Sequence, residues 1–254
     1  MNYIGIDIGS TSAKTVVLDT EKNLLYKHIC PTGWSSIETS EKIYRLLCDG
    51  GYIENNSCPV VATGYGRVSV PFAKKTVTEI TCHALGASYL HADTDFVVID
   101  IGGQDTKIIL VENGMVKDFV MNDKCSAGTG RFLEVMANTL AMNPSKLCEL
   151  ARSGSGVTIS SMCTVFAESE VISLIGRGEK KENIAFGVVN SIVTKVLSQC
   201  SRLPIANKNI YLTGGLCECS YLKKLLSDTL KTPIQSHPDS RYAGAIGAAL
   251  MAMK

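Results

Sequence analysis

Two short segments of the chain carry nearly the same order of side chains, and both suit the binding of phosphate. Residues 7–14 read Asp-Ile-Gly-Ser-Thr-Ser-Ala-Lys, and residues 100–107 read Asp-Ile-Gly-Gly-Gln-Asp-Thr-Lys. Each segment lies between two apolar runs, which is the pattern of strand, tight turn and strand. Backbone N–H groups that converge from a tight turn bind an anion. The repeat therefore predicts two phosphate-binding β-hairpins in two similar half-molecules.

Glycine and hydroxyl residues dominate both turns. Glycine reaches positive φ and lets the backbone approach phosphate oxygens closely, and we expect Gly9, Gly102 and Gly103 to sit at such positions. The expected hydroxyl donors to phosphate are Ser10, Thr11, Ser12 and Thr106. Lys14 and Lys107 are either countercharges to phosphate or ordinary exposed strand lysines. A single turn of this kind is usually only a hairpin turn, but the duplication of Asp, Ile, Gly and Lys at the same offsets favours binding.

Carboxylates and an amide in the same turns suit metal-assisted hydrolysis. Asp7 and Asp100 lie at the ends of their predicted strands. They suit a Mg²⁺ ion held through water, because Mg²⁺ gives up its waters reluctantly. Gln104 has both a donor and an acceptor and can orient an attacking water. Asp7, Asp100 and Gln104 are therefore the predicted catalytic residues, and Gln104 and Asp105 complete the second nucleotide-binding turn.

A third segment, residues 209–215, reads as a buried strand that ends in a Gly-Gly turn before a helical stretch. In order and spacing, this segment and the two hairpins resemble the adenosine motif and the two phosphate motifs of the actin, Hsp70 and sugar-kinase superfamily. The resemblance implies an α/β fold with two similar ribonuclease-H-like, actin-like ATPase halves and a nucleotide cleft between them. The patterns of a P-loop and of a dinucleotide-binding fingerprint are both absent from the sequence.

Composition narrows the class of protein further. The 254 residues carry 25 basic and 24 acidic side chains, a formal net charge of +1, and no arginine-rich tract, so nothing favours a nucleic-acid partner. No apolar run reaches the ~18 residues of a membrane span, and the N-terminus has no export signal. We therefore expect a cytoplasmic protein with reduced cysteines.

Hydrophobic periodicity outlines the remaining elements. Helices are predicted at residues 40–47, 79–90, 130–141, 164–175, 185–203 and 221–230, and a small-residue helix at 242–250. The alternation of strands and helices favours an α/β fold. The repeat predicts a first half of residues 1–91 and a second half of residues 92–237 that carries the candidate cluster cysteines. The C-terminal helix, residues 238–254, is expected to pack at the seam between the halves.

Two of the ten cysteines, Cys125 and Cys163, lie among small polar residues just before predicted helices. A helix N-terminus favours a thiolate, and it would favour an anionic iron–sulfur cluster in the same way. A 4Fe–4S cluster takes four thiolates, so two cysteines make half a site, and a two-fold dimer would supply four. The alternative is that either cysteine is only a small buried residue.

The other cysteines are scattered, and no Cys-x-x-Cys pair predicts a zinc or thioredoxin-like site. Five of them are interpreted as small buried apolar residues: Cys30, Cys48, Cys82, Cys148 and Cys200. Cys58 lies in a polar loop, and exposure is expected there. Cys217 and Cys219 are the one closely spaced pair.

Several segments together resemble the family of ATPases that activate (R)-2-hydroxyacyl-CoA dehydratases and that includes the ATPase subunits of benzoyl-CoA reductases. They are residues 97–140, 162–171, 63–67 (Thr-Gly-Tyr-Gly-Arg) and 79–83 (Glu-Ile-Thr-Cys-His). The resemblance implies an oxygen-sensitive homodimer with one 4Fe–4S cluster at its interface. Cys125 and Cys163 match the two ligands from each subunit, whereas Cys217 and Cys219 match none. The segments that match the family's ATP-binding sequences are Ser10, Thr11, Ser12, Ala13 and Lys14, and Gly214 and Gly215.

The family resemblance also implies a mechanism. Reduced ferredoxin or flavodoxin donates an electron, ATP binding changes the relative angle of the two halves, and the electron passes to a partner enzyme at low potential. ATP hydrolysis to ADP, with Mg²⁺, then resets the protein. The acceptor is a 2-hydroxyacyl-CoA dehydratase or, alternatively, a related iron–sulfur reductase such as a double-cubane-cluster protein.

Two other functions fit the same superfamily. A small-molecule kinase, such as an acetamido-sugar or pantothenate kinase, needs a carboxylate base that faces an acceptor hydroxyl. No acceptor-site motif is recognisable, and a kinase leaves Cys125 and Cys163 unexplained. The other alternative is a regulator that binds ATP without redox chemistry. The brown colour of a cluster in anaerobically purified protein would separate the activator from both.

Overall fold

The computed structural model describes residues 1–53, 58–160 and 163–254. The chain divides into two compact units. The first comprises Met1–Val98, Val111–Lys117 and His237–Lys254, and the second comprises Ile99–Leu110 and Asp118–Ser236. These units differ from the predicted halves in where residues 92–98, 111–117 and 237 fall, and the predicted domain boundary stays a prediction.

The first sheet has five strands in the order β3-β2-β1-β4-β5. The strands are β1 Tyr3–Ile8, β2 Ser12–Leu18, β3 Leu24–Pro31, β4 Val60–Thr63 and β5 Lys75–Thr76. The first three strands are antiparallel neighbours, whereas β4 runs parallel to β1 and to β5. The hairpin of β1 and β2 thus forms as predicted, with the shared Asp-Ile-Gly sequence at its turn.

Three helices belong to the first unit: α1 Ser36–Asp49, α2 Glu79–His91 and α8 Ala243–Ala252. Isoleucines of β1 pack with Ile43 and Leu47 of α1. Val16 and Leu18 of β2 pack with residues of α8, among them Ile246. Because apolar helices cover both faces, β1 and β2 read as nearly continuous apolar runs rather than as alternating strands.

Small residues let α8 approach its neighbours at backbone distance. A Cβ atom added at Gly5 of β1 would overlap the backbone of Ala245, and one added at Gly86 of α2 would overlap that of Ala243. Gly247 of α8 is equally close to the backbone of Cys82. The small residues of the helix predicted at 242–250 therefore permit close packing within the first unit.

The second sheet repeats the topology of the first. Its order is β10-β9-β6-β7-β8, with β6 and β7 in the places that β1 and β2 hold in the first sheet. The strands are β6 Phe96–Ile101, β7 Thr106–Glu112, β8 Met115–Asn122, β9 Asn209–Gly214 and β10 Ile234–Gln235. The repeat in sequence is thus a repeat in architecture.

Five helices follow β8 or accompany β9: α3 Gly130–Thr139, α4 Pro144–Leu150, α5 Thr164–Gly176, α6 Lys181–Cys200 and α7 Ser220–Leu230. Periodicity predicted all of these except α4, a two-turn helix that begins with proline after the capping side chain of Asn143. Helix α6 begins four residues before the predicted start. Within the described ranges no helix has the length and apolarity needed to cross a membrane.

Candidate functional site

The first turn is closed by its own backbone and braced by Thr32, which follows β3. The Gly9 N–H donates to the Ser12 carbonyl at 3.1 Å. The Thr32 hydroxyl donates to the Gly9 carbonyl at 2.7 Å, and the Thr32 N–H donates to the Thr11 carbonyl at 3.1 Å. Thr11 is exposed, and Ser10 and Ser12 are partly exposed. The turn is therefore a fixed loop with accessible hydroxyls, as a phosphate site requires.

The second turn is held by the start of helix α3. The Gly102 N–H donates to the Asp105 carbonyl at 2.9 Å. The N–H groups of Gly130 and Arg131 donate to the carbonyls of Gly102 and Gly103 at 2.9 and 2.8 Å. These first N–H groups of the helix, which have no partner within it, thus orient the turn. Gln104 is exposed at the tip of the turn.

Thr106 has a different role from the predicted one. Its buried hydroxyl donates to the Gly128 carbonyl at 2.9 Å. It was expected to donate to phosphate, but its proton is used to tie β7 to the loop that precedes α3. Thr106 is the first residue of β7, and its side chain points into the protein. The sequence pattern did not predict this direction of the side chain.

The two candidate carboxylates are buried and face lysines across their hairpins. Asp7 and Asp100 are 5% and 2% exposed. Asp7 pairs with Lys14 across β1 and β2, and Lys14 Nζ lies 4.0 Å from Asp7 Oδ2. Lys107 Nζ lies 3.4 Å from Asp100 Oδ2. Neither lysine is an ordinary exposed strand lysine, because each ammonium group compensates the charge of a buried carboxylate.

Lys107 compensates a second carboxylate as well. Its Nζ lies 2.6 Å from Asp105 Oδ2, and its side chain is 2% exposed. A buried ammonium group needs this compensation, because removing a charge from water is costly unless it is paired. The positive charge of Lys107 is therefore balanced within the protein, and Lys107 does not fit the alternative of a free countercharge to phosphate.

A Thr-Gly pair lies at the end of β4 and another at the end of β9, and their equivalence was not predicted from the sequence. Gly64 has φ +89° and Gly214 has φ +84°. A Cβ atom at Gly64 would lie 2.6 Å from Asp7 Oδ1, and one at Gly214 would lie 2.7 Å from Asp100 Oδ1. Glycine is needed at both positions, so that a left-handed turn can pass close beside each carboxylate.

The neighbouring groups support the same equivalence. The Thr213 hydroxyl donates to Asp100 Oδ1 at 2.9 Å. The Gly215 N–H donates to the Ile101 carbonyl at 3.0 Å, as the Gly66 N–H donates to the Ile8 carbonyl at 2.8 Å. The Thr-Gly-Tyr-Gly-Arg segment is thus the counterpart, in the first unit, of the Gly-Gly turn of the second. The signal in the sequence was the Thr-Gly dipeptide that follows an apolar run in both places.

The glycines of the two hairpin turns do not adopt the expected backbone conformation. Gly9, Gly102 and Gly103 have no positive φ. A Cβ atom at Gly9 would lie 3.0 Å from the Ser12 carbonyl oxygen, and one at Gly102 would collide with the Asp105 carboxylate. Close approach of neighbouring atoms, rather than a left-handed turn, therefore explains glycine at Gly9 and Gly102.

Asp7 also faces two groups from helices of its own unit. A Cβ atom at Gly244 would lie 2.8 Å from Asp7 Oδ2 and 2.9 Å from His83 Nε2. His83 belongs to the Glu-Ile-Thr-Cys-His segment at the start of α2 and is buried. The placement of His83 beside Asp7 joins that segment to the first turn, which spacing along the chain did not predict.

The two candidate cluster cysteines lie on adjacent loops of the second unit. Cys163 is exposed and is the N-cap residue of α5, while Cys125 is partly exposed. The residues that follow them, Ser126 and Thr164, share a hydrogen bond of 2.8 Å between their hydroxyl groups. The Asn122 side chain donates to the Cys125 carbonyl at 2.8 Å. The structure thus brings the two cysteine loops together within one chain.

One detail of the prediction is wrong. Cys125 does not lie at a helix start, because α3 begins at Gly130 with Thr129 as its N-cap. The helix-terminus argument therefore applies to Cys163 alone. Met162, the first residue of the matching segment, lies outside the described residues. Within the described residues, no group of three or more His, Cys, Asp or Glu side chains is placed to hold a metal.

Helix α5 carries an exposed apolar surface beside Cys163. Four of its large apolar side chains are exposed: Val165, Phe166, Ile172 and Ile175. Val165, Ile172 and Ile175 lie in one stripe, because residues three, four and seven positions apart share a helix face. A surface of this kind, next to an exposed cysteine, indicates an interaction site.

The other cysteines differ in how far they are buried. Burial raises the pKa of Cys82 and that of Cys200 to about 12, so both stay protonated. Cys148 is buried, as predicted, but Cys48 is exposed at the last turn of α1, and that prediction is wrong. Cys30, which was also predicted to be buried, is partly exposed, and so is Cys58 in its polar loop.

Comparison with known proteins gives matches over almost the whole chain. Residues 4–252 match the profile of the BadF/BadG/BcrA/BcrD ATPase family. A protein of Acidaminococcus fermentans named (R)-2-hydroxyglutaryl-CoA dehydratase activating ATPase is 42% identical over 253 residues, which are 99% of this chain and 96% of that protein. The activator of lactoyl-CoA dehydratase of Anaerotignum propionicum is 39% identical over 254 residues, 99% of this chain and 97% of that protein.

Comparison with solved structures gives the same result as comparison with known sequences. The activator of the 2-hydroxyisocaproyl-CoA dehydratase from Clostridium difficile, with bound ADPNP, superposes with a TM-score of 0.91 at 36% identity, covering 100% of this chain and 94% of that one. A ROK family glucokinase from Streptomyces griseus superposes with a TM-score of 0.63 at 13% identity over 99% of each chain, which is a likeness of fold alone. The predicted actin-like α/β fold is confirmed, and the chain belongs to the BadF/BadG/BcrA/BcrD ATPase family.

Proposed function

We propose that this protein is the ATP-hydrolysing electron-transfer component that activates an (R)-2-hydroxyacyl-CoA dehydratase or a related iron–sulfur reductase. It accepts an electron from ferredoxin or flavodoxin. The observation that carries the proposal is the hydrogen bond between Ser126 and Thr164, which joins the loops of two accessible cysteines in a member of an ATPase family. A small-molecule kinase has no use for such a pair.

ATP is proposed to bind at the two hairpin turns. The N–H groups and hydroxyls of residues 9–14 and 102–105 contact its phosphates, and Gly214 and Gly215 contact the adenosine. Asp7 and Asp100 hold Mg²⁺ through water, since each buried carboxylate keeps lone pairs for water beyond its lysine partner. Gln104, exposed at the tip of its turn, orients the attacking water. The bound ADPNP in the related activator supports the nucleotide assignment.

A 4Fe–4S cluster fits the two cysteines as half of a shared site. One chain supplies Cys125 and Cys163, and such a cluster takes four thiolates. A second copy, related by a two-fold axis, supplies the other two. The exposed apolar stripe of α5 beside Cys163 supports burial against that second copy. When bound, the cluster supplies one-electron chemistry at low potential, and the residues of this chain hold it and bury it.

Iron content tests the cysteine assignment. Anaerobically purified protein should be a brown dimer with about four irons. Cys125→Ser and Cys163→Ser should each lose the iron and keep ATP binding, because neither residue belongs to the turns. Cys217→Ser is the matched control and should keep the iron. Full iron content in both cluster variants would refute the assignment, and a colourless ATPase would favour the kinase or the non-redox regulator.

Coupling between nucleotide and cluster tests the electron-transfer proposal separately. ATP or a non-hydrolysable analogue should change the rate at which a chelator removes iron from reduced protein, and ADP should give a different rate. If ATP also changes the reduction potential of the cluster, linkage requires that the redox state of the cluster change nucleotide affinity by the corresponding factor. Equal chelation rates with no nucleotide, with ADP and with ATP would mean that the cluster is structural and that the protein is an ATPase without gated electron transfer.

A further inference from the structure

Two cysteines that the proposed function does not use lie against each other in the second unit. Cys148 is buried on α4, and Cys219 is the partly exposed N-cap residue of α7. Helices α4 and α7 pack together, and a hydrogen bond joins the thiol groups of Cys148 and Cys219. The pair brings together residues 71 positions apart, so the close spacing of Cys217 and Cys219 gave no sign of it.

The surroundings make the two sulfurs chemically different. The Leu222 N–H donates to Cys219 Sγ at 3.4 Å. Arg152 donates to the Ser220 hydroxyl at 2.7 Å, which places its positive charge near the same helix start. The hydrogen bond with Cys148, the backbone N–H groups and Arg152 lower the pKa of Cys219, whereas that hydrogen bond and burial raise the pKa of Cys148. Cys219 is the more accessible sulfur and accepts a backbone N–H, so it is placed to act as the nucleophile with buried Cys148 as its partner.

We propose that Cys148 and Cys219 form a peroxide-reactive dithiol site that closes to a disulfide. The Cys219 thiolate attacks hydrogen peroxide, the O–O bond breaks, and Cys219 sulfenic acid and hydroxide form. The Cys148 sulfur then attacks the sulfenic acid, and the S–S bond forms as water leaves with the Cys148 proton. Peroxide accepts the two electrons that the two thiols lose. A small oxidant suits the site, because only one sulfur is accessible and only partly so.

This inference is independent of the proposed function. It uses neither the nucleotide turns nor Cys125 and Cys163, and it concerns contacts inside the second unit alone. The disulfide needs the two sulfurs to approach to about 2.0 Å, a small movement for thiols that already share a hydrogen bond. Arg152 and Ser220 hold the end of α4 beside the start of α7 and so keep the pair together.

Peptide mapping tests the site. The full-length protein, prepared without air, is treated with one equivalent of hydrogen peroxide, its remaining thiols are alkylated, and it is digested with trypsin. Cleavage after Lys146, Arg152, Lys208 and Lys223 should give peptide 147–152 linked to peptide 209–223, lighter by about 2 Da than the sum of the two reduced peptides. Cys125 and Cys163 fall in other tryptic peptides, so cluster damage does not produce this product.

Cys217 shares a peptide with Cys219, and serine variants separate the two. Cys217→Ser should keep the linked product, and Cys219→Ser should lose it completely. Cys219→Ser should fold, because serine is itself a favoured N-cap residue. In Cys148→Ala, the sulfenic acid has no partner, and dimedone should label Cys219. The linked peptide in Cys219→Ser, its absence from oxidised wild type, or dimedone on Cys217 rather than Cys219 would each overturn the proposal.

Discussion

Replacing Thr213 with valine should destabilise the protein, whereas the same change at the equivalent Thr63 should not. The Thr213 hydroxyl donates to Asp100 Oδ1 at 2.9 Å, and both side chains are buried. Valine keeps the shape of threonine but removes the donor. The carboxylate then loses a hydrogen bond on the side where it packs against the fully buried Thr213 side chain.

The size of the effect follows from the charge of the acceptor. A hydrogen bond to an ionised group contributes about 1.5–3 kcal/mol to the free energy of unfolding. For a chain of this length, each kcal/mol corresponds to a shift of roughly 2–4 °C in Tm. Thr213→Val should therefore lower Tm by roughly 3–12 °C. Hydrolysis of ATP should slow as well, because Asp100 is held less firmly in its proposed position.

Thr63 provides the matched control. It is the last residue of β4, Thr213 is the last residue but one of β9, and both are buried. Its hydroxyl has no nitrogen or oxygen partner within the described part of the chain, and its hydrogen bond is with the Cys82 thiol. A thiol is a weak hydrogen-bonding group, so loss of this bond costs much less than loss of a bond to an ionised carboxylate. Thr63→Val should therefore leave Tm nearly unchanged.

Thermal unfolding of both variants, followed by far-UV circular dichroism and by fluorescence, decides the matter. Two probes are needed, because two units that unfold separately would give transitions that do not coincide. Equal losses of stability in the two variants would refute the reasoning, since burial alone would then set the cost. A stable Thr213→Val variant would show that Asp100 does not depend on this donor.

Three further predictions use other parts of the structure. Gln104→Ala should lower kcat for ATP hydrolysis at least about ten-fold with little change in nucleotide Kd, since a water-orienting group acts in the transition state. Equal losses in kcat and in nucleotide affinity would make Gln104 a binding residue. Burial, with a contribution from His237, lowers the pKa of His91. As the pH drops below about 6.5, the His91 side chain therefore gains a proton in the unfolded chain before it does in the folded one, and stability falls. The loss of Tm between about pH 7.5 and pH 5.5 should be smaller in His91→Asn. Gly247→Ala should destabilise the protein by about 1–3 kcal/mol, because the new Cβ atom would overlap the backbone of Cys82. The Cβ atom of Gly176→Ala would enter open space, so this variant should be more stable by roughly 0.5 kcal/mol in the same thermal assay.

Local patterns predicted most of the fold. The two hairpins and the helices from α1 to α8, apart from the two turns of α4, follow from apolar periodicity, which is a property of neighbouring residues. Helix α4 was not predicted, because seven residues are too few to show a clear hydrophobic period. Edge strand β8 was not predicted either, because most of its residues are exposed and it has no continuous apolar run.

The site was predicted less completely than the fold. The carboxylates, the turns and the pair Cys125 and Cys163 could be named from residue types and the repeat. Thr32 could not, because its role comes from two hydrogen bonds to a turn more than twenty residues away. The pairing of Cys148 with Cys219 could not be named either, since it depends on how two helices pack.

The sequence by itself determined which chemical groups are present and which of them lie in turns, because strand, turn and helix depend on near neighbours in the chain. Only the tertiary structure decided what those groups do with their protons and charges. It directs Thr106 inward to Gly128, balances Lys107 with Asp100 and Asp105, and sets a Thr-Gly turn beside each carboxylate. These partners are separated along the chain by as many as 113 residues. Their pairing is decided by burial, because a polar or charged group removed from water is stable only beside a complementary one.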